Sequence, residues 1–289
     1  MTRIASQAFF LGLIVLMAIA LQAVWTFPAR EAVMAGAAIG LIGLSLGLER
    51  IWPHQRKWLD VPRAELAGDI GSFVLIFGML DGALKWLTPF ILLAIVPHSA
   101  GLGLPLWQQV VIAALWIEFA AWISHWAHHR YKPLWALHAM HHSTDHLYTL
   151  NNFRFHPINH VLNHLAMILP LLLVGIAPEA ILIYSALSLP VLLFQHSNIR
   201  FDFGALNRVF NTNDLHRWHH SAHPDEGMMN LGRSLVIWDQ VFGTYLRPDT
   251  THDPDRIGLF GSSRDFPAAG RFWAQIAWPF GAECCRPAR

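Results

Sequence analysis

Cysteine is almost missing from this chain of 289 residues: there are two, Cys284 and Cys285, adjacent and near the C-terminus. Neighbouring thiols can neither staple a fold nor supply a CxxC metal site, so disulfide scaffolds and thiolate centres are excluded. Charge is also scarce, at 13% of residues where soluble domains carry about 25%, while 54% are hydrophobic. Lipid is therefore the expected solvent for much of the chain. The net charge is +1 with histidines neutral, and no long basic run occurs, so the electrostatics of a phosphate-backbone binder are missing and nucleic acid is not an expected partner. A Rossmann GxGxxG, a haem-attachment CxxCH and a zincin HExxH are absent too.

Apolar helix is abundant. Crossing a bilayer core takes about 20 mainly apolar residues, and segments 8–26, 31–48, 71–96 and 105–124 meet that length. Two shorter apolar segments, 161–177 and 179–195, are separated by Gly175 and Pro178 and suit a hairpin that dips into the bilayer or just crosses it. The first run follows Arg3 as a signal peptide would, but the apolar segments after it favour a retained anchor. Arg50, Arg56, Lys57 and Arg63 lie between the second and third spans, and segment 97–104 carries no Lys or Arg. The positive-inside rule then places 49–67 and the N-terminus in the cytoplasm, and the chain leaves the fourth span near Ser124 on that same side. The expected fold is all-α, with about four transmembrane helices, the hairpin, and a cytoplasmic helical cap.

Inside these spans ionisable groups are costly and face a bundle interior or a site. Asp81 and Lys85, four residues apart, read as a pair. Glu118 lies seven residues before His125 on the same helical face. It reads either as an acceptor for a ligand imidazole or as an ordinary interhelical polar contact.

Of eighteen histidines, fifteen lie between positions 125 and 223. His125 and His129 form HxxxH; His138, His141 and His142 form HxxHH; His216, His219 and His220 form a second HxxHH. Offsets of three and four put side chains on one helical face, so each cluster can aim its imidazoles into one cavity. A tetrahedral zinc site takes about four protein ligands. Eight clustered imidazoles exceed that, and the count favours a dinuclear centre. Imidazole suits iron, zinc, copper and nickel alike, so ligand type alone does not choose the metal. Trp122, Trp126, Trp135 and Trp218, interleaved with the clusters, read either as walls of an apolar cavity or as part of a membrane-interface aromatic belt.

The clusters and their surroundings resemble the fatty acid hydroxylase and sterol desaturase superfamily. HWAHHRYKPLWALHAMHHS (125–143) is similar to its first two histidine boxes, NNFRFHP (151–157) to its Arg-x-His-Pro element, and QHSN (195–198) to the segment before the last box. HRWHHSAHPDEGMMNLGRSLVIWDQVFGTY (216–245) resembles the third box and the ending that follows it. Glu118 stands where an Asp is expected and Asn159 where the family often has Glu, which leaves the role of position 159 open. The resemblance covers roughly 110–250, and the chain divides on this reading into N-terminal transmembrane helices (1–104), a His-box catalytic domain (105–250) and a C-terminal tail (251–289).

The resemblance implies two iron ions bound by His125, His129, His138, His141, His142, His216, His219 and His220, with His196 as a ninth ligand. His128, His156, His160 and His223 are candidates for additional or supporting roles. His164 continues the four-residue spacing of His156 and His160, His146 flanks a box, and His54, His98 and His252 read as structural. The implied reaction is O2-dependent hydroxylation or desaturation of a lipid-like substrate such as a sterol or fatty acyl chain. Its electrons would come from NAD(P)H through a separate ferredoxin- or cytochrome b5-like carrier, because no nucleotide or haem motif is visible. A membrane metal transporter or metal-binding protein is the alternative, opposed by the lack of histidine in the spans before residue 125.

Overall fold

The computed structural model describes residues 1–95, 101–246, 252–263 and 265–281, and every regular element among them is helical. Cys284, Cys285 and His98 lie outside the described residues. Helix α1 (Arg3–Val24) starts at Thr2, whose side chain accepts a hydrogen bond from Ala5 N at 3.4 Å. Its buried residues, Ser6, Phe10, Leu13, Met17, Leu21 and Val24, recur every three or four positions and form one stripe. Val15, Leu16 and Ile19 on the other side have no protein cover, as expected for a face turned to lipid.

Helix α2 (Arg30–Ile51) follows, then α3 (Arg63–Phe73), which runs through a π-helical segment (Val74–Leu80) into α4 (Asp81–Ile95). Helix α5 (Leu106–Arg130) ends at the first histidine cluster. Four helical stretches, Arg3–Val24, Arg30–Ile51, Arg63–Thr88 and Leu106–Arg130, are long and apolar enough to cross a membrane, so the chain is a multi-pass membrane protein with the four spans its sequence indicates. Asp81 and Lys85 pair at 2.6 Å, as their spacing suggests.

Short α6 (Lys132–His138) leads to a hairpin of α7 (Pro157–Leu173) and α8 (Pro178–Phe194). Gly175, at φ +83°, turns the chain between them in a conformation that side chains with a Cβ rarely adopt. At 17 residues each, both arms fall short of the roughly 20 that a straight crossing needs. The third box lies on α9 (Asn213–His219), followed by α10 (Pro224–Gly227), α11 (Ile237–Phe242) and α12 (Phe272–Ala277).

Two apolar layers join spans to hairpin. The α1 stripe meets Phe194 at the end of α8 and the segment Ile199–Phe203, with Phe10 edge-on to Phe203 at 5.0 Å. Ala113 and Ile117 of α5 pack on Leu171, Ile176, Ala180 and Tyr184 of the hairpin. The end of α5 is thereby fixed beside the start of α7 and the end of α8.

Residues 252–263 and 265–281, within the segment read as a C-terminal tail, pack on the histidine-bearing segments. Ser221 pairs with Ile257 in an antiparallel bridge, Gly258 N donates to His220 O at 2.9 Å, and Phe260 stacks on Trp135 at 4.8 Å. Arg154 explains how the far end is held. Fully buried, it donates to Asp69 of α3 at 2.6 Å, to Ala269 O and Gln275 Oε1 at 3.0 Å each, and to Glu65 O at 3.1 Å. Removing one partner of such a pair strands a buried charge, at a cost of about 3–5 kcal/mol. Arg154→Leu is thus expected to lower the thermal midpoint of the detergent-purified chain sharply. Arg154→Leu with Asp69→Leu should recover much of the loss, which differential scanning of both variants measures.

Candidate metal centre

The last two turns of α5 present His125 and His129 one turn apart. Helix α6 delivers His138 at its end, and the turn that follows, with His141 N bonded to His138 O at 2.8 Å, brings His141 and His142 round to the same side. His196 lies two residues beyond α8, and α9 contributes His216 and His219 with His220 at its cap. These nine residues fall into two groups, His125, His129, His138, His142 and His219 in one, and His141, His196, His216 and His220 in the other. Within each group the ligand-capable atoms all lie within 4.8 Å of one another. The groups adjoin, with His142 of the first stacked on His220 of the second at 4.2 Å and 22°.

Eight of the nine rings are buried, His125 being half-buried. Burial pushes the imidazoles of His138, His142, His196, His216, His219 and His220 well below their ordinary pKa, and that of His141 down to about 3. These seven are therefore neutral near pH 7, each with one bare nitrogen lone pair.

Hydrogen bonds fix which nitrogen is bare. The Nδ1 atoms of His125, His141 and His219 face backbone carbonyls, Leu231 O at 2.9 Å, Arg154 O at 3.2 Å and Met229 O at 3.0 Å. A carbonyl only accepts, so each Nδ1 carries the proton and each Nε2 is bare. His138 Nδ1 donates to Asn159 Oδ1 at 3.0 Å, and His196 Nδ1 donates to Asn151 Oδ1 at 2.8 Å. Yet His125 Nε2 and His138 Nε2 are 3.0 Å apart. Two lone pairs face each other with no proton between them, an arrangement that repels unless a cation accepts both. Among the described residues, His129 and His142 have no hydrogen-bond partner at either nitrogen, although buried polar atoms are ordinarily paired. The donor set thus fits transition-metal ions of the imidazole-binding kind.

The remaining nominated residues lie elsewhere. Of the two readings of Glu118 the interhelical polar contact is the one seen: its carboxylate accepts from Ser234 N at 3.0 Å, Ser234 Oγ at 2.5 Å, Leu235 N at 2.9 Å and the Tyr184 hydroxyl. It sits two turns below His125 and reaches the 234–235 turn, while His125 finds Leu231 O. His156 caps α7, accepting from Ile158 N at 3.1 Å and donating to Ile276 O at 3.0 Å, so both nitrogens are used away from the centre. His160 lies 3.5 Å from Asp81 and edge-on to Phe77, and His164 lies 3.3 Å from Thr88 Oγ1. His223 is exposed, His146 contacts Asp145 at 3.0 Å, and His54 meets Asp253 at 2.8 Å. His128 is buried beside the first group with both nitrogens engaged by Ser124 O and Asn159. Of the tryptophans, Trp135 lies against His129 at 5.0 Å and His142 at 5.4 Å. Trp122 stacks on Phe242, Trp126 leans on Tyr131, and Trp218 is half-buried.

Several supporting residues have no signal in the histidine spacing. Asn151 and Asn159 orient ligand-group rings, and Phe155 stacks on His141 at 4.4 Å. Asp239 accepts from Leu231 N and Gly232 N at 2.8 Å each, Thr244 Oγ1 at 2.7 Å and Trp122 Nε1 at 3.2 Å. It thereby clamps the loop whose Leu231 carbonyl orients His125. A Cβ at Gly232 would meet Leu235 O at 2.3 Å, so the clamp requires glycine there.

The fatty acid hydroxylase family model matches residues 110–244, a range that contains all nine histidines. The ornithine lipid hydroxylase OlsE of Rhizobium tropici is 32% identical over 241 residues, 80% of this chain and 71% of that protein. The chain belongs to the fatty acid hydroxylase superfamily. Alkylglycerol monooxygenases are more distant, 28% identical in Danio rerio and 27% in Homo sapiens, over 46% of this chain and 30% and 29% of theirs. No solved structure matches. As a member of the superfamily, the chain is an oxygen-dependent oxidoreductase of the hydroxylase type.

Loss of a group that orients a metal-ligating histidine typically weakens metal affinity by about 10–100-fold. Asp239→Ala is expected to weaken the five-histidine group by that order and to leave the four-histidine group intact, as followed by metal titration of the purified chain.

Proposed function

We propose that this chain is a membrane lipid hydroxylase in which the five-histidine and four-histidine groups each hold one iron ion. The observation that carries the reading is the convergence of bare imidazole nitrogens in two adjoining buried groups. Bound iron would supply the activation of O2 and the cleavage of an unactivated C–H bond, chemistry that no side-chain acid, base or nucleophile performs.

The chain's own residues do the rest. His125, His141 and His219 are held with Nε2 inward by carbonyls, and His138 and His196 by the amide oxygens of Asn159 and Asn151. Phe155, Trp135 and Phe260 cover the imidazoles with apolar rings and keep water from the reacting carbon. Position matters because a shift of about 1 Å can cost two orders of magnitude in rate. The lipid enters sideways from the bilayer, between the spans and the histidine-bearing segments. Relatives named for an ornithine lipid and for alkylglycerol favour hydroxylation over desaturation.

We assign the chemistry to 105–250 and the anchoring to 1–104, with the histidine face at the cytoplasm. Electrons from NAD(P)H are delivered there by a ferredoxin- or cytochrome b5-like protein. His142→Ala and His220→Ala remove one ring from each group. Each is expected to abolish the oxygenated lipid in extracts of expressing cells, read by mass spectrometry, and to lower iron per chain. Undiminished product from both variants would falsify the assignment.

A further inference from the structure

His128 stands next to a nominated ligand in sequence, is buried, and binds nothing in either group. A chain of hydrogen bonds gives it a task. His128 Nδ1 is 2.7 Å from Ser124 O, a carbonyl that can only accept. The Ser124 hydroxyl is also near, at 3.4 Å, but it donates to Asn163 Oδ1 at 2.7 Å. His128 Nδ1 therefore carries the proton and its Nε2 is an acceptor. That acceptor lies 3.0 Å from Asn159 Nδ2, which fixes the amide so that Oδ1 points the other way, 3.0 Å from His138 Nδ1. An amide oxygen accepts, so His138 Nδ1 is protonated and His138 Nε2 is left bare beside His125 Nε2. Every direction in the series follows from the Ser124 carbonyl. His128, His138 and Asn159 are 2%, 3% and 1% exposed, so bulk water has little chance to reverse it.

We infer that His128 and Asn159 form a positioning relay which, from the Ser124 carbonyl, fixes the tautomer of His138 and keeps its Nε2 bare toward the five-histidine group. The inference rests on that group holding a metal ion. Without an acceptor at His128 Nε2, the Asn159 amide is free to turn over and present Nδ2 to His138. His138 would then shift its proton to Nε2 and close one ligand position.

The test uses the full-length chain in detergent, titrated with cobalt(II) and followed by visible absorption and by metal per chain. In His128→Gln the amide oxygen reaches about as far as Nε2 and still accepts from Asn159, so wild-type affinity is expected at both sites. His128→Asn is shorter by one methylene and loses that acceptor, and Asn159→Leu removes the amide altogether. Each of these two is expected to weaken one cobalt site by about 10–100-fold and leave the other unchanged. Thermal unfolding of the metal-free variants checks that each is folded, and the matched Gln and Asn variants still decide should Asn159→Leu not fold. Equal cobalt affinity in His128→Gln and His128→Asn overturns the relay while the metal site stands. A wild-type chain that takes up no cobalt or iron overturns the metal reading, and the relay with it.

Discussion

Bare lone pairs converging in one cluster of mostly buried imidazoles are the constraint on which the other features turn. His125 and His138 aim unprotonated Nε2 atoms at each other across 3.0 Å because each Nδ1 has spent its proton elsewhere, on Leu231 O and Asn159 Oδ1. Such an arrangement is unfavourable by itself, since two lone pairs face each other with no proton between them. It persists because packing and hydrogen bonds outside the pocket over-determine the ring positions. The apolar layers that fix the end of α5 against the hairpin set where these rings can be.

Four buried carboxylates show how a mainly apolar chain achieves this. Glu49 in α2 accepts from Thr149 N and Asn198 N at 2.8 Å each, pinning segments on either side of the Asn151 and His196 pair. Asp69 in α3 takes the Tyr148 hydroxyl at 2.5 Å and Arg154, whose own carbonyl orients His141. Glu118 in α5 holds the 234–235 turn, and Asp239 holds Leu231 and Gly232. Glu49, Glu118 and Asp239 anchor irregular backbone whose N–H groups have no helical partner, and Asp69 takes side-chain donors instead; a carboxylate is the strongest acceptor available for either. Three of the four sit on membrane-spanning helices. The spans therefore serve as rigid posts to which the histidine-bearing loops are tied, as well as a means of crossing lipid.

Periodicity made part of this legible in the sequence. Offsets of three and four among histidines survive any choice of tertiary packing, because they follow from the helix itself, and the four long apolar runs follow from bilayer thickness. His196 lay outside such a cluster and was nominated through the resemblance of QHSN; it lies in the four-histidine group. Carbonyl partners such as Leu231, Met229 and Arg154 leave no mark in a sequence, since every residue has the same carbonyl. Glu118 illustrates a different limit. Its spacing from His125 placed it on the right helical face, but spacing along a helix says nothing about which loop arrives opposite, and the 234–235 turn arrived first. Residues 252–263 and 265–281 carry no motif, and the contacts of Phe260 with Trp135 and of Gln275 with Arg154 depend on long-range geometry alone.

The nine rings are not held alike. Five are oriented through Nδ1 by a carbonyl or an amide oxygen, three in the first group and two in the second. The other four, His129, His142, His216 and His220, have no hydrogen-bond partner at Nδ1 among the described residues. Aromatic contact holds them instead: His129 and His142 against Trp135, His142 stacked on His220, and His216 edge-on to His220 at 4.8 Å. A ring fixed by a hydrogen bond has one tautomer and one orientation, whereas a ring fixed by packing can flip about its Cβ bond and keep the same shape. Each group therefore combines a preorganised part with an adaptable one, and an adaptable ring of each, His142 and His220, stacks on the other where the two groups meet. At that stacked pair ligand positions can adjust to one another, while the rings oriented through Nδ1 keep the frame in place.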